Sequence, residues 1–204
     1  MGAGAWVLQS SVELSGDSPA GAEALVPLRA LAREAQRCGA DRFLLGAVVA
    51  ERVVLDGFEL AAALAEATLE PDAPAIGTLC WLGEGRAASV AMRELTCVDH
   101  LHPGRAALLF AGGTQRLAEA GAVARALVHG EPASAGGPLE HVTAAPNLPA
   151  PPESLVERIA LYDAELGAAR TLGGTPLTIT HVRELDEITE LRDGELVVVG
   201  SLAR

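Results

Sequence analysis

The sequence predicts an α/β protein whose sheet is mostly parallel, and three observations support this fold class. Apolar runs of strand length alternate with helical patterns over residues 5–128. The connections are short and carry Gly or Pro, as in Cys38-Gly39 and His102-Pro103-Gly104. Of the 204 residues, 50% are hydrophobic and only 3% are aromatic, so Leu, Val and Ala must build the core. We therefore expect strands and helices packed in layers around an aliphatic interior.

Four strand–helix units follow one another in the first part of the chain. The four predicted strands are Trp6–Leu14, Arg42–Val49, Ala75–Cys80 and Ala106–Ala111. The helices that follow them are predicted to end near Arg37 and to span Asp56–Leu69, Glu84–Leu101 and Thr114–Val128. The first helix has apolar positions at helical spacing and Pro27 in its first turn. Short connections between such units favour parallel strands joined by right-handed crossovers.

The pattern changes after His129. A Pro/Gly-rich insertion occupies about residues 130–152, with a small hairpin predicted around Glu140–Thr143. Beyond the insertion we predict a helix over Glu153–Ala169, a strand over Thr175–Thr180, a helix over Val182–Leu191 and a strand over Glu195–Gly200. The resulting six parallel strands are two fewer than a closed (β/α)8 barrel requires.

A sheet of six parallel strands has two unpaired edges, which natural proteins cover. Two architectures satisfy this requirement. One is an open, doubly wound sheet. The other is an incomplete or shortened (β/α)8 TIM barrel with mostly parallel strands, whose gap a partner chain closes. We favour the barrel, and with it a dimer.

Charge and cysteine content exclude several classes of function. The net charge is −12 and all 15 basic residues are Arg, so the surface repels nucleic acids and anionic membranes. Cys38, Cys80 and Cys97 lack CxxC spacing, which predicts neither a disulfide framework nor a metal site. We expect no secretory leader, because no basic region precedes an apolar run at the N-terminus, and no membrane span, because no apolar run approaches the required ~20 residues. We expect a cytoplasmic protein that binds neither nucleic acid nor membrane.

One segment carries a family resemblance. Residues 97–113, CVDHLHPGRAALLFAGG, resemble the TLDHLSGGRxxLGLGAG segment of the bacterial-luciferase-like family of flavin- and deazaflavin-dependent monooxygenases. Three further passages resemble the family in the correct order: LAREAQRCGADRFLLG, FELAAALAEATLEPDAPAIGT and LVHGEPASAGGPLEHVTAAPNLPAPP. Together the four passages cover residues 31–152. The resemblance implies a single luciferase-like domain over residues 1–204, with the insertion at about 130–152.

The resemblance also implies an activity. It predicts a flavin- or deazaflavin-dependent oxidoreductase or monooxygenase that acts on a small organic substrate, with FMN or a deazaflavin coenzyme as cofactor. Two departures favour an alternative. Leu109 and Phe110 replace a glycine and a leucine, which predicts side chains in the space of a flat ring. Much of the half that holds the cofactor phosphate in the family has no counterpart here. The alternative is a non-catalytic luciferase-like partner subunit that dimerises with itself or with a full-length homologue.

Candidate site residues follow from the barrel, because the carboxyl ends of its strands build the site. By the resemblance, the cofactor-binding candidates are Gly46, Thr78, Cys80, Trp81, Ala111, Gly112 and Gly113. His181 follows a predicted strand and is the candidate catalytic proton shuttle. Glu13 and Ser201 also stand at strand ends.

Each of these residues has a structural interpretation as well. The Gly112-Gly113 backbone N–H groups suit a phosphate or a flavin carbonyl, and a plain tight turn explains the pair equally. Trp81 suits stacking on a flavin ring, or covering the core or a subunit interface. Asp99 and Arg105 are predicted to tie together the turn between the third helix and the fourth strand.

Overall fold

The structure is a computed structural model that describes residues 3–14, 25–50, 53–67, 72–82, 87–136, 141–145 and 151–202. Its strands are β1 (Trp6–Leu14), β2 (Arg42–Ala50), β3 (Val53–Leu55), β4 (Ala75–Trp81), β5 (Ala106–Gly112), β6 (Ala133–Gly136), β7 (His141–Ala145), β8 (Ile159–Asp163), β9 (Ala168–Thr171), β10 (Pro176–Val182) and β11 (Glu195–Val199). Its α-helices are α1 (Leu25–Arg37), α2 (Gly57–Ala67), α3 (Ala88–Leu101) and α4 (Thr114–Val128). Two 3₁₀ turns cover Glu153–Arg158 and Leu185–Glu187.

Eight of the described strands form a closed barrel. Their order is β1-β2-β4-β5-β8-β9-β10-β11, and β11 pairs back onto β1. All neighbours in the barrel are parallel except β9, which runs antiparallel to β8 and to β10. β3 pairs antiparallel with the outer end of β2, and β6-β7 is a separate hairpin. The predicted fold class, a shortened (β/α)8-type barrel with mostly parallel strands, is confirmed.

The four strand–helix units predicted for residues 5–128 are present. β1, β2, β4 and β5 lie where the apolar runs placed them, and α4 spans the predicted Thr114–Val128. The hairpin predicted around Glu140–Thr143 corresponds to β6-β7, although residues 137–140 lie outside the described residues. The predicted start of the third helix, Glu84, and the end of the second, Leu69, also lie outside them.

Successive side chains of each strand point alternately into the barrel interior and outward to the helical layer. Trp6, Leu8 and Leu109 belong to the cluster that fills the interior, and all three are fully buried. Phe110, the next residue on β5, packs outside the barrel with side chains of α3 and α4. The prediction that Leu109 and Phe110 both fill the space of a flat ring is therefore wrong for Phe110, since neighbouring residues of a strand face opposite sides of the sheet.

The second half differs from the sequence prediction. Residues predicted as a helix over Glu153–Ala169 form a 3₁₀ turn, then β8 and the start of β9. Asp163 accepts hydrogen bonds from the backbone N–H groups of Glu165 (3.0 Å) and Leu166 (3.1 Å), and Gly167 adopts φ +61°. An Asx turn followed by a left-handed glycine reverses the chain, so a hairpin replaces the helix. The helix predicted over Val182–Leu191 is also wrong, because only Leu185–Glu187 forms a 3₁₀ turn there.

The unpaired barrel edges predicted from six strands do not exist. β8 and β9 supply the two additional strands, and β1 pairs with β2 on one side and β11 on the other. The expectation that a partner chain closes a gap was wrong, because the chain closes its own barrel. That the protein forms a homodimer or a heterodimer stays a prediction, but it can no longer be argued from a need to cover unpaired strand edges.

A buried ion pair joins the two halves of the barrel. Asp99 at the end of α3 is 3% exposed and Arg158, just before β8, is 8% exposed. Arg158 donates from Nη1 to Asp99 Oδ1, from Nη2 to Oδ2 at 3.2 Å, and from Nη1 to the carbonyl of Ala106 at 2.8 Å. Asp99 also accepts the backbone N–H of Gly104 at 3.1 Å. The ionic partner of Asp99 is thus Arg158, whereas the predicted partner Arg105 donates to the Ala73 carbonyl at 2.8 Å.

Candidate functional site

A cavity of about 460 Å³ opens at the carboxyl ends of β1, β2 and β4, and we call it the mouth cavity. Four of the predicted cofactor-binding residues line it: Gly46, Thr78, Cys80 and Trp81. The other described lining residues are Ser10, Ala47, Val54, Leu55, Asp56, Gly57, Phe58, Leu79, Ser201 and Leu202. Parallel strands bring these positions together because their carboxyl ends share one rim.

Close backbone approaches shape the wall of the mouth cavity. A Cβ built on Gly46 would overlap the carbonyl oxygen of Ser10 on β1, so only glycine fits at this position. A Cβ on Gly57 would overlap the hydroxyl of Thr78. The same hydroxyl donates to the carbonyl of Leu45 at 3.2 Å. Thr78 therefore lies between Leu45 of β2 and Gly57 of α2, and it joins α2 to the mouth of the barrel.

Sequence analysis missed the outer wall of the mouth cavity. β3 and the first residues of α2 form this wall, and Asp56 lies between them. The Oδ1 atom of Asp56 accepts the backbone N–H groups of Phe58 (2.8 Å) and Glu59 (3.3 Å). This is an N-cap, and the pattern of an Asp just before a helical run was available as a signal in the sequence.

A second cavity of about 510 Å³ lies next to the mouth cavity and shares Trp81 with it. It contains the predicted Gly112 and Gly113 at the end of β5. Its remaining described lining residues are Leu82, Gln115, Arg116, Ala164 and Glu165. Six of the seven predicted cofactor-binding residues are thus distributed over two adjacent cavities, and Trp81 lines both.

The N-terminus of α4 is occupied by carboxylates of the β8-β9 turn. Glu165 Oε2 accepts the backbone N–H of Thr114 at 3.3 Å, and Thr114 Oγ1 donates to Asp163 Oδ2 at 2.6 Å. A Cβ built on Gly113 would overlap the Glu165 carboxylate. Gly113 therefore leaves room for the side chain of Glu165. No signal in the sequence links residue 165 to residue 113, since the contact depends on the pairing of β5 with β8.

Asp163 is ionised at neutral pH. Desolvation alone would raise the pKa of its carboxyl. The hydrogen bond from Thr114, the two backbone N–H groups and the positive charge of Arg170 together lower the pKa below its ordinary value of 3.8. Negative charge at this position also stabilises the N-terminus of α4 through the helix dipole.

Two predicted site residues lie away from the cavities. His181, near the end of β10, has an exposed side chain and lines neither cavity. Ala111 on β5 is fully buried and lines neither cavity either. Of the strand-end residues, Ser201 lines the mouth cavity and Glu13 does not.

The charges near the cavities are few. Over the described lining of both, the charged residues are Asp56, Arg116 and Glu165. Within the described ranges, no group of three or more His, Cys, Asp or Glu side chains could hold a metal ion. None of the described helices is long and apolar enough to cross a membrane.

Comparisons with known proteins found similar folds among solved structures only. No protein-family model and no curated protein matches the chain. Solved structures similar to it include the following two, each at 12% sequence identity. One is the coenzyme F420-dependent tetrahydromethanopterin reductase from Methanopyrus kandleri, with a TM-score of 0.53, covering 78% of this chain and 50% of that chain. The other is an F420-dependent secondary alcohol dehydrogenase in complex with an F420-acetone adduct, with a TM-score of 0.56, covering 97% and 59%.

The chain therefore spans between 50% and 59% of the length of these two neighbours. At 12% identity the likeness shows the fold and no more. The fold is a closed, mostly parallel, eight-stranded α/β barrel, similar to the folds of these two F420-dependent enzymes.

Proposed function

We propose that this protein is a luciferase-like, deazaflavin-dependent oxidoreductase that acts on a small organic substrate and holds the deazaflavin ring in the mouth cavity. The observation that carries the proposal is the cavity itself. It lies at the carboxyl ends of β1, β2 and β4, the position of active sites in this type of barrel. Its volume of about 460 Å³ lies within the range of small-molecule sites. A deazaflavin is preferred to FMN because both structural neighbours are described as F420-dependent.

The residues present fit the ring of such a cofactor. The lining combines apolar side chains such as Val54 and Phe58 with hydroxyl groups from Ser10, Thr78 and Ser201. A flat heteroaromatic ring with carbonyl groups needs this mixture of apolar contact and hydrogen bonding. Trp81 is the aromatic side chain on which the ring would stack. When bound, a deazaflavin supplies hydride transfer.

The chain's own residues would position the ring. Gly46 and Gly57 let Ser10 and Thr78 approach closely, so the cavity wall has little freedom to move. Such preorganisation is what a redox cofactor requires of its protein. The described lining of the mouth cavity offers no Arg or His to the phosphate of such a cofactor.

A binding titration with a matched pair of variants tests the proposal. Ala47 lines the mouth cavity and is exposed, so Ala47→Trp would fill the cavity without entering the core. Ala122 is an exposed residue of α4 that lines neither cavity, and Ala122→Trp is the control. Deazaflavin fluorescence should show saturable binding to wild type and Ala122→Trp. We expect Ala47→Trp to bind at least about tenfold more weakly, the loss of roughly 1.4 kcal/mol.

The alternative function is a non-catalytic luciferase-like partner subunit, and one observation favours it. Over the described residues 151–202, the chain has two 3₁₀ turns and no α-helix. Such a reduced half offers few elements to hold a large cofactor. A purified protein that fails to bind any deazaflavin, and that forms a dimer in light scattering, would favour this alternative. Equal binding by wild type and Ala47→Trp would contradict the mouth cavity as the site.

A further inference from the structure

We infer that the mouth accepts a deazaflavin in its nucleoside form, a ring with a polyol chain and no phosphate, and that Glu165 rejects the phosphorylated form. This inference rests on the proposed function. It follows from the carboxylates near the mouth, which occupy the positions where the negative charge of a phosphorylated cofactor would be expected.

The N-terminus of α4 is the first position where a phosphate would be expected. Helix N-termini bind anions through free N–H groups and the helix dipole. Here Glu165 accepts the N–H of Thr114, and its carboxylate fills the space beside Gly113. The anion at this helix terminus is therefore supplied by the protein.

The β8-β9 turn holds Glu165 in this position. Asp163 Oδ1 accepts the backbone N–H groups of Glu165 and Leu166, and Asp163 Oδ2 accepts the hydroxyl proton of Thr114. The turn is thus connected to α4 by contacts from two carboxylates. An incoming phosphate would have to displace Glu165 while remaining close to Asp163, which like-charge repulsion opposes.

The N-terminus of α2 is the second such position, and it is capped in the same way. Asp56 accepts the N–H groups of Phe58 and Glu59 and also lines the mouth cavity. The described lining of the mouth cavity contains no Arg or His. In the described lining of the second cavity Arg116 is the cation, and Glu165 lines the same cavity. Over the described lining of the two cavities, two carboxylates thus stand against one guanidinium, and this balance of charge opposes a phosphate dianion.

The inference is tested by titrating the full chain with two probes, a deazaflavin nucleoside and its 5′-phosphate. Glu165→Gln removes the carboxylate and keeps the side-chain shape. Glu190→Gln is the control, because it makes the same change of charge at an exposed residue beside the amino end of β11. Thermal unfolding followed by circular dichroism verifies that both variants fold.

We expect wild type and Glu190→Gln to bind the nucleoside at least about tenfold more tightly than the phosphate, and Glu165→Gln to reduce that ratio severalfold. Raising the salt concentration should narrow the wild-type ratio as well, since screening weakens the repulsion. A wild-type chain that binds the phosphate as tightly as the nucleoside would overturn the inference and leave the proposed function standing. Binding of neither probe would overturn both. The wild-type comparison decides the inference even if Glu165→Gln does not fold.

Discussion

The two halves of this barrel close the same sheet by different means. From β1 to β5, parallel strands are joined by crossovers that carry α1, α2 and α3. From β8 to β10 the chain uses an antiparallel strand, β9, and two tight turns. A parallel connection needs a dozen or more residues, whereas a hairpin needs only a few. One reversed strand therefore replaces two long crossovers, and the barrel closes in 204 residues, fewer than the about 250 that are typical.

The difference between the halves also shapes the candidate site. The first half supplies most of the mouth cavity, from Ser10 to Trp81. The second half contributes Ser201 and Leu202 to that cavity, and Glu165 to the N-terminus of α4. The short β8-β9 turn thus replaces a longer crossover, whose helix and loops could have contributed residues to cofactor binding.

The largest expected effect comes from the ion pair that joins the halves. Asp99→Asn leaves the guanidinium of Arg158 buried without its counter-charge. We expect the free energy of unfolding to fall by about 3–5 kcal/mol, measured by urea denaturation. The control is Glu34→Gln, whose partner Arg37 is largely exposed, and we expect a loss of at most about 1 kcal/mol there. Equal losses for the two variants would show that the buried pair does not join the halves.

A smaller effect is expected at the turn that replaces a crossover. Gly167 has φ +61° between β8 and β9, and Gly167→Ala should lower the free energy of unfolding by about 1–2 kcal/mol. Gly173 does not share this left-handed backbone, and the nearest atom to a Cβ built there is 3.7 Å away. Gly173→Ala should therefore be close to neutral. If both variants unfold at the same urea concentration, the β8-β9 turn does not require its left-handed glycine.

In the first half, β2, β4 and β5 could be predicted from the sequence because each is a nearly continuous apolar run, and β1 could be predicted from its loose alternation of apolar and polar residues. β8 and β9 could not, since AELGAAR, residues 164–170 in the turn and in β9, consists largely of good helix formers, and the pairing of β8 with β5 is non-local. The same limit applies to the site. Gly46, Thr78, Cys80 and Trp81 follow from their place at strand ends, whereas Glu165 reaches α4 only through that pairing.

The smallest expected effect is a pH dependence at the second-half turn. The pKa of Asp163 is lowered in the folded state, so its contribution to stability is present above the unfolded value of 3.8 and is lost as the pH falls through the folded pKa. The side chain is only half-buried, so Asp163→Asn should cost about 1 kcal/mol or less near pH 7. Melting temperatures between pH 2 and 7 should converge for wild type and variant at the acid end. A difference that stays constant with pH would exclude an ionised Asp163.

We propose that the mouth cavity holds a deazaflavin ring. Amide hydrogen exchange, measured with and without the deazaflavin nucleoside, tests this directly. Bound nucleoside should slow exchange in residues 54–58 and 78–82 at the mouth. Exchange should stay unchanged at the amino end of the barrel, around Gly4, Asp41 and Asp193, which line a separate cavity. Protection at the amino end, or no protection anywhere at saturating nucleoside, would contradict the claim.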